Sequence, residues 1–103
     1  MTKEMFEWIT KWQRETFTQA TAQTAANHLK SEVDELLHDV TWCKPKEQTV
    51  AEYADCFLLL FGSASLYGLS YDDICKAIND KMEINKERKW GKPNDQGFVE
   101  HIR

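Results

Sequence analysis

Two short acidic motifs, Glu32-Val-Asp-Glu35 and Glu52-Tyr-Ala-Asp55, stand sixteen residues apart inside stretches of helical apolar spacing. Around the first, Ala22, Ala25, Leu29, Val33, Leu36 and Leu37 form one stripe, which predicts a helix over 22–38 with Glu32, Glu35 and Asp39 sharing a face. Around the second, Thr49-Val-Ala-Glu52 reads as a capping box that starts a helix running to Tyr67, with Gly68 ending it. Residues 39–48, with Pro45 inside them, read as a loop. Further out, Met5, Trp8, Ile9, Trp12 and Thr16 mark a helix over 3–17, with Glu4 and Glu7 near its positive end. Asp72 and Asp73 follow a start signal at Ser70 and open a fourth helix to about Trp90. Gly91, Pro93 and Gly97 stop it, and Phe98 to Arg103 is left as a short C-terminal tail. The fold class expected is all-α, a four-helix bundle formed by one domain over 1–103.

The chain has 103 residues, with 13 basic against 17 acidic side chains and a net charge of −4. That balance argues against a DNA or RNA binder that works by neutralising phosphates. The longest apolar run, Cys56 to Phe61, is far short of a membrane span, and the opening Met-Thr-Lys-Glu has no apolar signal region. Three cysteines without a C-x-x-C pair suit a reducing compartment, so a cytoplasmic protein with no membrane partner is expected. The third helix is apolar around most of its circumference from Ala54 to Phe61, which suits a central element. Four short helices cover such an element poorly, so assembly as a homo-oligomer is expected.

Isolated acids three apart are usually a solvated helix face. Here the stripe carrying Glu52 and Asp55 continues through Leu59, Gly62 and Leu66, placing the acids at the mouth of an apolar face. Four like charges gathered there call for a cation, and an all-oxygen ligand set favours Mg²⁺ or Mn²⁺ over zinc. On the fourth helix, Ile74 and Ile78 begin a stripe continued by Lys81, Asn85 and Arg88. This is either a helix emerging into solvent, as Lys86 and Lys89 would suggest, or a phosphate-binding face. Residues 28–55 hold three bases and seven acids, whereas residues 81–103 hold six and four, a contrast suited to a metal–polyphosphate ligand. Trp12 is equally a core residue or a stacking surface for a base, with Asn27, His28 and Phe17 as neighbours. His28, one turn before Glu32, could brace a ligand or meet a phosphate, or serve only structure. Trp8, Trp42, His38, His101 and the cysteines read as packing or surface.

These residues resemble the MazG-like all-α nucleoside triphosphate pyrophosphohydrolases, whose motif is two E-x-x-E/D pairs on successive helices. The resemblance narrows to a dATP/dGTP pyrophosphohydrolase branch on Trp12 with Thr16-Phe17, His28-Leu29, Lys81-x-x-x-Asn85-x-x-Arg88-x-Trp90 and the closing Gly97-Phe-Val-Glu-His-Ile. It implies hydrolysis of a purine (deoxy)nucleoside triphosphate to monophosphate and pyrophosphate, dGTP before dATP, with two or more Mg²⁺ or Mn²⁺ ions. Glu32, Glu35, Glu52 and Asp55 would be the metal-binding and catalytic residues, with Glu35 or Glu32 as proton acceptor. Lys81, Asn85, Arg88, Trp12 and His28 would bind substrate, and a dimer or a tetramer built from dimers would be the assembly. The competing reading is a non-catalytic nucleotide-binding or oligomeric interaction domain of the same fold.

Overall fold

The structure is a computed structural model describing residues 1–102; the last residue of the expected tail, Arg103, lies outside them. Four helices follow in order, α1 (Lys3–Thr16), α2 (Ala22–Thr41), α3 (Lys46–Leu66) and α4 (Tyr71–Glu87), then two short strands, β1 (Lys89–Trp90) and β2 (His101–Ile102). The chain divides into two compact units, Met1–Tyr71 and Asp72–Arg103.

In the first unit α3 packs against α2 and against α1. Each helix start has its own local cause. Thr2 caps α1 by accepting from the Met5 amide at 3.1 Å. Thr21 and Thr24 form a reciprocal capping box on α2, each side chain accepting from the other's backbone amide at 3.1 and 2.9 Å. The α3 start departs from the expectation. Pro45, extended at ψ 142°, is its N-cap, and its carbonyl accepts from both Gln48 and Thr49. Helix is therefore already formed one turn before Thr49, whose hydroxyl donates back to the Pro45 carbonyl at 3.2 Å instead of capping anything. At the other side of the expected loop, α2 runs on to Thr41. Only Trp42 to Pro45 connect the two helices, with Cys43 in the left-handed region at φ 51°. The ten-residue loop expected over 39–48 is thus a four-residue turn between paired helices.

Gly68, at φ 98°, follows the end of α3 as the sequence indicates. By length and composition α3 could cross a membrane, its most apolar window having a mean hydropathy of 1.2. It is weak evidence for doing so, since Glu52 and Asp55 in its middle would be costly in a bilayer.

The second unit corrects two further expectations. Helix α4 stops at Glu87, not Trp90, although the Arg88 amide still donates to Ile84. Residues 89–102 form a hairpin in place of a loose tail, β1 pairing antiparallel with β2 so that Trp90 faces His101. The Trp90 indole N–H donates to the Asn85 carbonyl at 3.0 Å, fastening the hairpin to the end of α4. Asn94 organises its loop by accepting from the Gln96 and Phe98 amides, and Gly97 takes φ 88°.

Phe6 is the buried hydrophobic residue of the described chain, and its ring meets Phe61 edge-on at 5.7 Å and Tyr71 at 5.8 Å. Phe57, Leu60 and Trp8 by contrast are at least half exposed. So much stability rests on so small a core that Phe6→Ala is expected to cost about 3–5 kcal/mol in chemical denaturation. A loss below about 1 kcal/mol would show that Phe6 is not the centre of the packing.

Candidate active site

The four-residue turn dictates which residues of α2 and α3 meet. In a helical hairpin, residues equally far from the turn lie opposite one another. Glu32 and Asp55 are equidistant from the Cys43–Lys44 peptide; so are Glu35 and Glu52, and so are Asp39 and Gln48. The last pair is directly bonded, Gln48 Nε2 donating to Asp39 Oδ2 at 3.3 Å. The other two pairs bring the acids together: carboxylate oxygens of Glu32, Glu52 and Asp55 all lie within 4.8 Å of one another. Glu35, three residues from Glu32 on the same face of α2, borders the cluster close enough for the two carboxyl groups to interact.

Two cavities open on either side of these acids, lined entirely by residues of the first unit. Glu32 and Asp55 look into the larger, of about 630 Å³, whose wall includes Trp12, Phe17, His28, Leu58, Leu59 and Gly62. The volume and the mainly apolar wall suit a small-molecule ligand. Trp12 and Phe17 stand edge-to-face at 5.5 Å and give that wall its aromatic surface; Asn27 is not part of it. Glu35 and Glu52 border the second cavity, of about 340 Å³, with Asp34, His38 and Asp39.

Charge in the cluster is poorly compensated. Among the described residues the partners at its edges are histidines, His28 Nε2 at 3.3 Å from Glu32 and His38 Nδ1 at 3.4 Å from Asp39, and no lysine or arginine pairs with the four acids. The Glu52 Oε2 is buried without a hydrogen-bond partner. Repulsion from Glu32, then the hydrogen bond to it, burial, and the charges of Asp39 and Asp55 push the Glu35 carboxyl above its ordinary range. Burial comes first for Glu52, which is also raised by Glu35, Asp39, Glu32 and Asp55. Cys56 next to the cluster is raised for the same reasons, burial ahead of Glu32, Glu52 and Asp55. An all-oxygen nest with an orphaned buried carboxylate oxygen fits a hard divalent cation.

Two further residues take their place here, Asp39 from the acid face of α2 and Gln13, which the sequence did not single out. Asp39, 7% exposed, is held under the second cavity by Gln48 and His38. Gln13 on α1 donates through Nε2 to the Leu58 carbonyl at 2.9 Å, crossing from α1 to α3. Gly62 makes room for that amide, because a Cβ there would lie 2.9 Å from the Gln13 Oε1. The proposed phosphate-binding trio belongs to the second unit: Lys81 and Asn85 on α4, Arg88 in the bend after it, Lys81 exposed and the other two half-buried.

Because Glu35 and Glu52 hold protons longer in the folded chain than in the unfolded one, the folded state binds more protons above the ordinary value of 4.5. Stability of the metal-free protein therefore falls as pH rises from that value through the raised ones. In EDTA, Glu52→Gln is expected to melt above the parent at pH 7, with the difference shrinking toward pH 4.5 in paired thermal melts. Parallel curves at all pH values would show that the carboxylates are not in conflict.

Comparison with known proteins follows the same lines. The family model for dATP/dGTP pyrophosphohydrolase matches residues 5–103, across both units. Among curated proteins, the Eaa protein of Salmonella phage P22 is 38% identical over 52 residues, half of this chain. The chain spans only 16% of the length of that relative. Among solved structures, a cyanophage S-2L MazG-like pyrophosphohydrolase, bound to dGDP and three catalytic Mn²⁺ ions per active site, is similar with a TM-score of 0.76 and 25% identity. The match covers 100% of this chain and 99% of that one.

Proposed function

The chain belongs to the dATP/dGTP pyrophosphohydrolase family, and from that premise we propose that it hydrolyses a purine deoxynucleoside triphosphate to monophosphate and pyrophosphate. The observation that carries this reading is the cluster of Glu32, Glu52 and Asp55, with the orphaned Glu52 oxygen and Glu35 alongside, at the end of an aromatic-walled cavity. The similar cyanophage enzyme, with dGDP and Mn²⁺ at its active site, supports the same assignment.

Glu32, Glu35, Glu52 and Asp55 would hold the divalent ions, Mg²⁺ or Mn²⁺. Such ions, when bound, neutralise the polyphosphate and lower the pKa of a coordinated water. The chain's own groups supply the rest. Glu35, exposed at the rim beside Glu32, would take the proton of the attacking water. His28 holds the Glu32 carboxylate in place from one turn away. Trp12 and Phe17 offer the base a stacking surface, and the apolar floor of Leu58 and Leu59 keeps bulk water from it. Lys81 and Arg88 bind phosphate oxygens, with Asn85 as a neutral donor beside them. Discrimination among bases then comes from hydrogen bonds at the base edge, where guanine presents more polar groups, so dGTP leads and dATP follows.

The functional unit is the single domain 1–103 in a homo-oligomer, a dimer or tetramer. Its support is the half-exposed apolar surface of α3 around Phe57 and Leu60, which a second copy would cover. Light scattering should give a multiple of the 12.1 kDa chain mass; a monomer at micromolar concentration would refute the assembly.

Glu35→Gln and Asp55→Asn are each expected to lower kcat by at least about a hundredfold, the scale of a lost electrostatic contribution. Lys81→Ala and Arg88→Ala should weaken catalysis markedly and Lys89→Ala little, as read by steady-state kinetics. Equal behaviour of the three cations would reduce the α4 series to a solvated helix end. Chromatography of products from each of the common nucleoside triphosphates should rank dGTP first and place pyrimidines at least about tenfold lower in kcat/KM. A preference for dCTP or dUTP would overturn the purine reading.

A further inference from the structure

Arg14 has no part in the proposed catalysis, yet it lines the same cavity as Glu32 and Asp55. Its partner is a neutral one: Nη1 donates to the Ser65 hydroxyl, a side chain 51 residues away on α3, at 2.5 Å. No carboxylate pairs with it among the described residues, and the side chain is exposed, so the N–H donors that Ser65 does not take face solvent and can turn to a ligand. An arginine held by one neutral hydroxyl on the rim of a mostly apolar cavity can exchange water for the acceptors of a bound ligand.

Position decides what that acceptor is. Ser65 lies ten residues beyond Asp55 on α3, about 15 Å along the helix at 1.5 Å per residue. The guanidinium is therefore at the far end of the cavity from the acids. Leu58, Leu59 and Gly62 form the apolar floor between the two ends, with Trp12 and Phe17 among the lining residues. A nucleotide whose phosphates are held at Glu32 and Asp55 would lay its sugar and base over that floor, and the edge of the base, not a phosphate, would reach Arg14. Gln13, the preceding residue, is anchored to the Leu58 carbonyl, which fixes α1 against α3 next to Arg14 and limits how far the guanidinium can retreat.

We propose that Arg14 is a specificity-determining residue that reads the acceptor edge of a 6-oxopurine. This rests on the nucleotide reading above and deepens it. The fork of guanidinium donors matches the O6 and N7 acceptors of guanine or hypoxanthine, a pairing in which two parallel hydrogen bonds form. Adenine keeps N7 but places an amino donor where O6 would be, so donor meets donor and one bond is lost. Ser65 is the positioning residue: its hydroxyl accepts one N–H and aims the rest.

Two measurements on the 103-residue chain separate this from the alternatives. In kinetics, Arg14→Ala and Arg14→Lys should each lower the dGTP-to-dATP ratio of kcat/KM by about tenfold, the discrimination of a bidentate contact. Against 7-deaza-dGTP, which lacks the N7 acceptor, the wild type should lose about tenfold relative to dGTP and Arg14→Ala should lose little. In binding, dGMP should outcompete dAMP on the wild type in EDTA by calorimetry, and Arg14→Ala should erase the difference. Equal losses for every base would assign Arg14 to the phosphates or to structure and overturn the proposal while leaving the hydrolase reading intact. Were no triphosphate hydrolysed, the hydrolase reading would fall. The metal-free dGMP and dAMP comparison would still decide Arg14, since both ligands carry the same phosphate.

Discussion

Repulsion among four carboxylates that the chain itself drives together is the constraint on which the rest depends. The turn between Cys43 and Lys44 sets Glu32 opposite Asp55 and Glu35 opposite Glu52, so the like charges cannot separate without unpairing α2 from α3. Among the described residues no lysine or arginine pairs with them, two histidines lie at the edge, and an oxygen of Glu52 is buried without a partner. Apolar packing of the two helices carries that electrostatic cost in the metal-free chain, and a divalent ion relieves it. The same conflict raises the proton affinity of Glu35 in the metal-free chain. Stability and chemistry draw on one cluster.

Helices were legible because their apolar residues recur at three and four, and the two acid motifs were legible because both sit on such stripes. The connection between them was not. Thr49 and Glu52 have the spacing of a capping box, but Pro45 begins helix a turn earlier by accepting two amides on its carbonyl. The box that does exist, Thr21 with Thr24, uses threonine where the usual signature has an acid or amide, and so carries no signal in the sequence. Shortening the loop to four residues is what places the acids symmetrically about the turn, a relation visible only once both helix ends are known. Strands of two residues are likewise too short for alternation to register, which hid the hairpin of Trp90 and His101.

Trp12, His28, Glu32 and Asp55 line the larger cavity and Glu35 and Glu52 the smaller, while Arg14 and Asp39 are placed by partners distant in sequence. Arg14 reads as one more surface cation on α1 until Ser65 is seen beside it. Asp39 continues the acid series on α2, but only its bond to Gln48 and its 7% exposure mark it as built into the cluster. Gly62 belongs with them: its missing side chain admits Gln13, which ties α1 to α3 along the cavity. The cavity thus draws its wall from α1, α2 and α3, with the acids on α2 and α3.

The central claim is that the acids of α2 and α3 act through divalent ions on a nucleoside triphosphate. Incubation of the purified chain with dGTP and Mn²⁺, with products resolved by anion exchange, tests it most directly. Equal amounts of dGMP and pyrophosphate with Mn²⁺ present, and neither in excess EDTA, are the expected result. Turnover that continues in EDTA, or release of orthophosphate with dGDP, would contradict it.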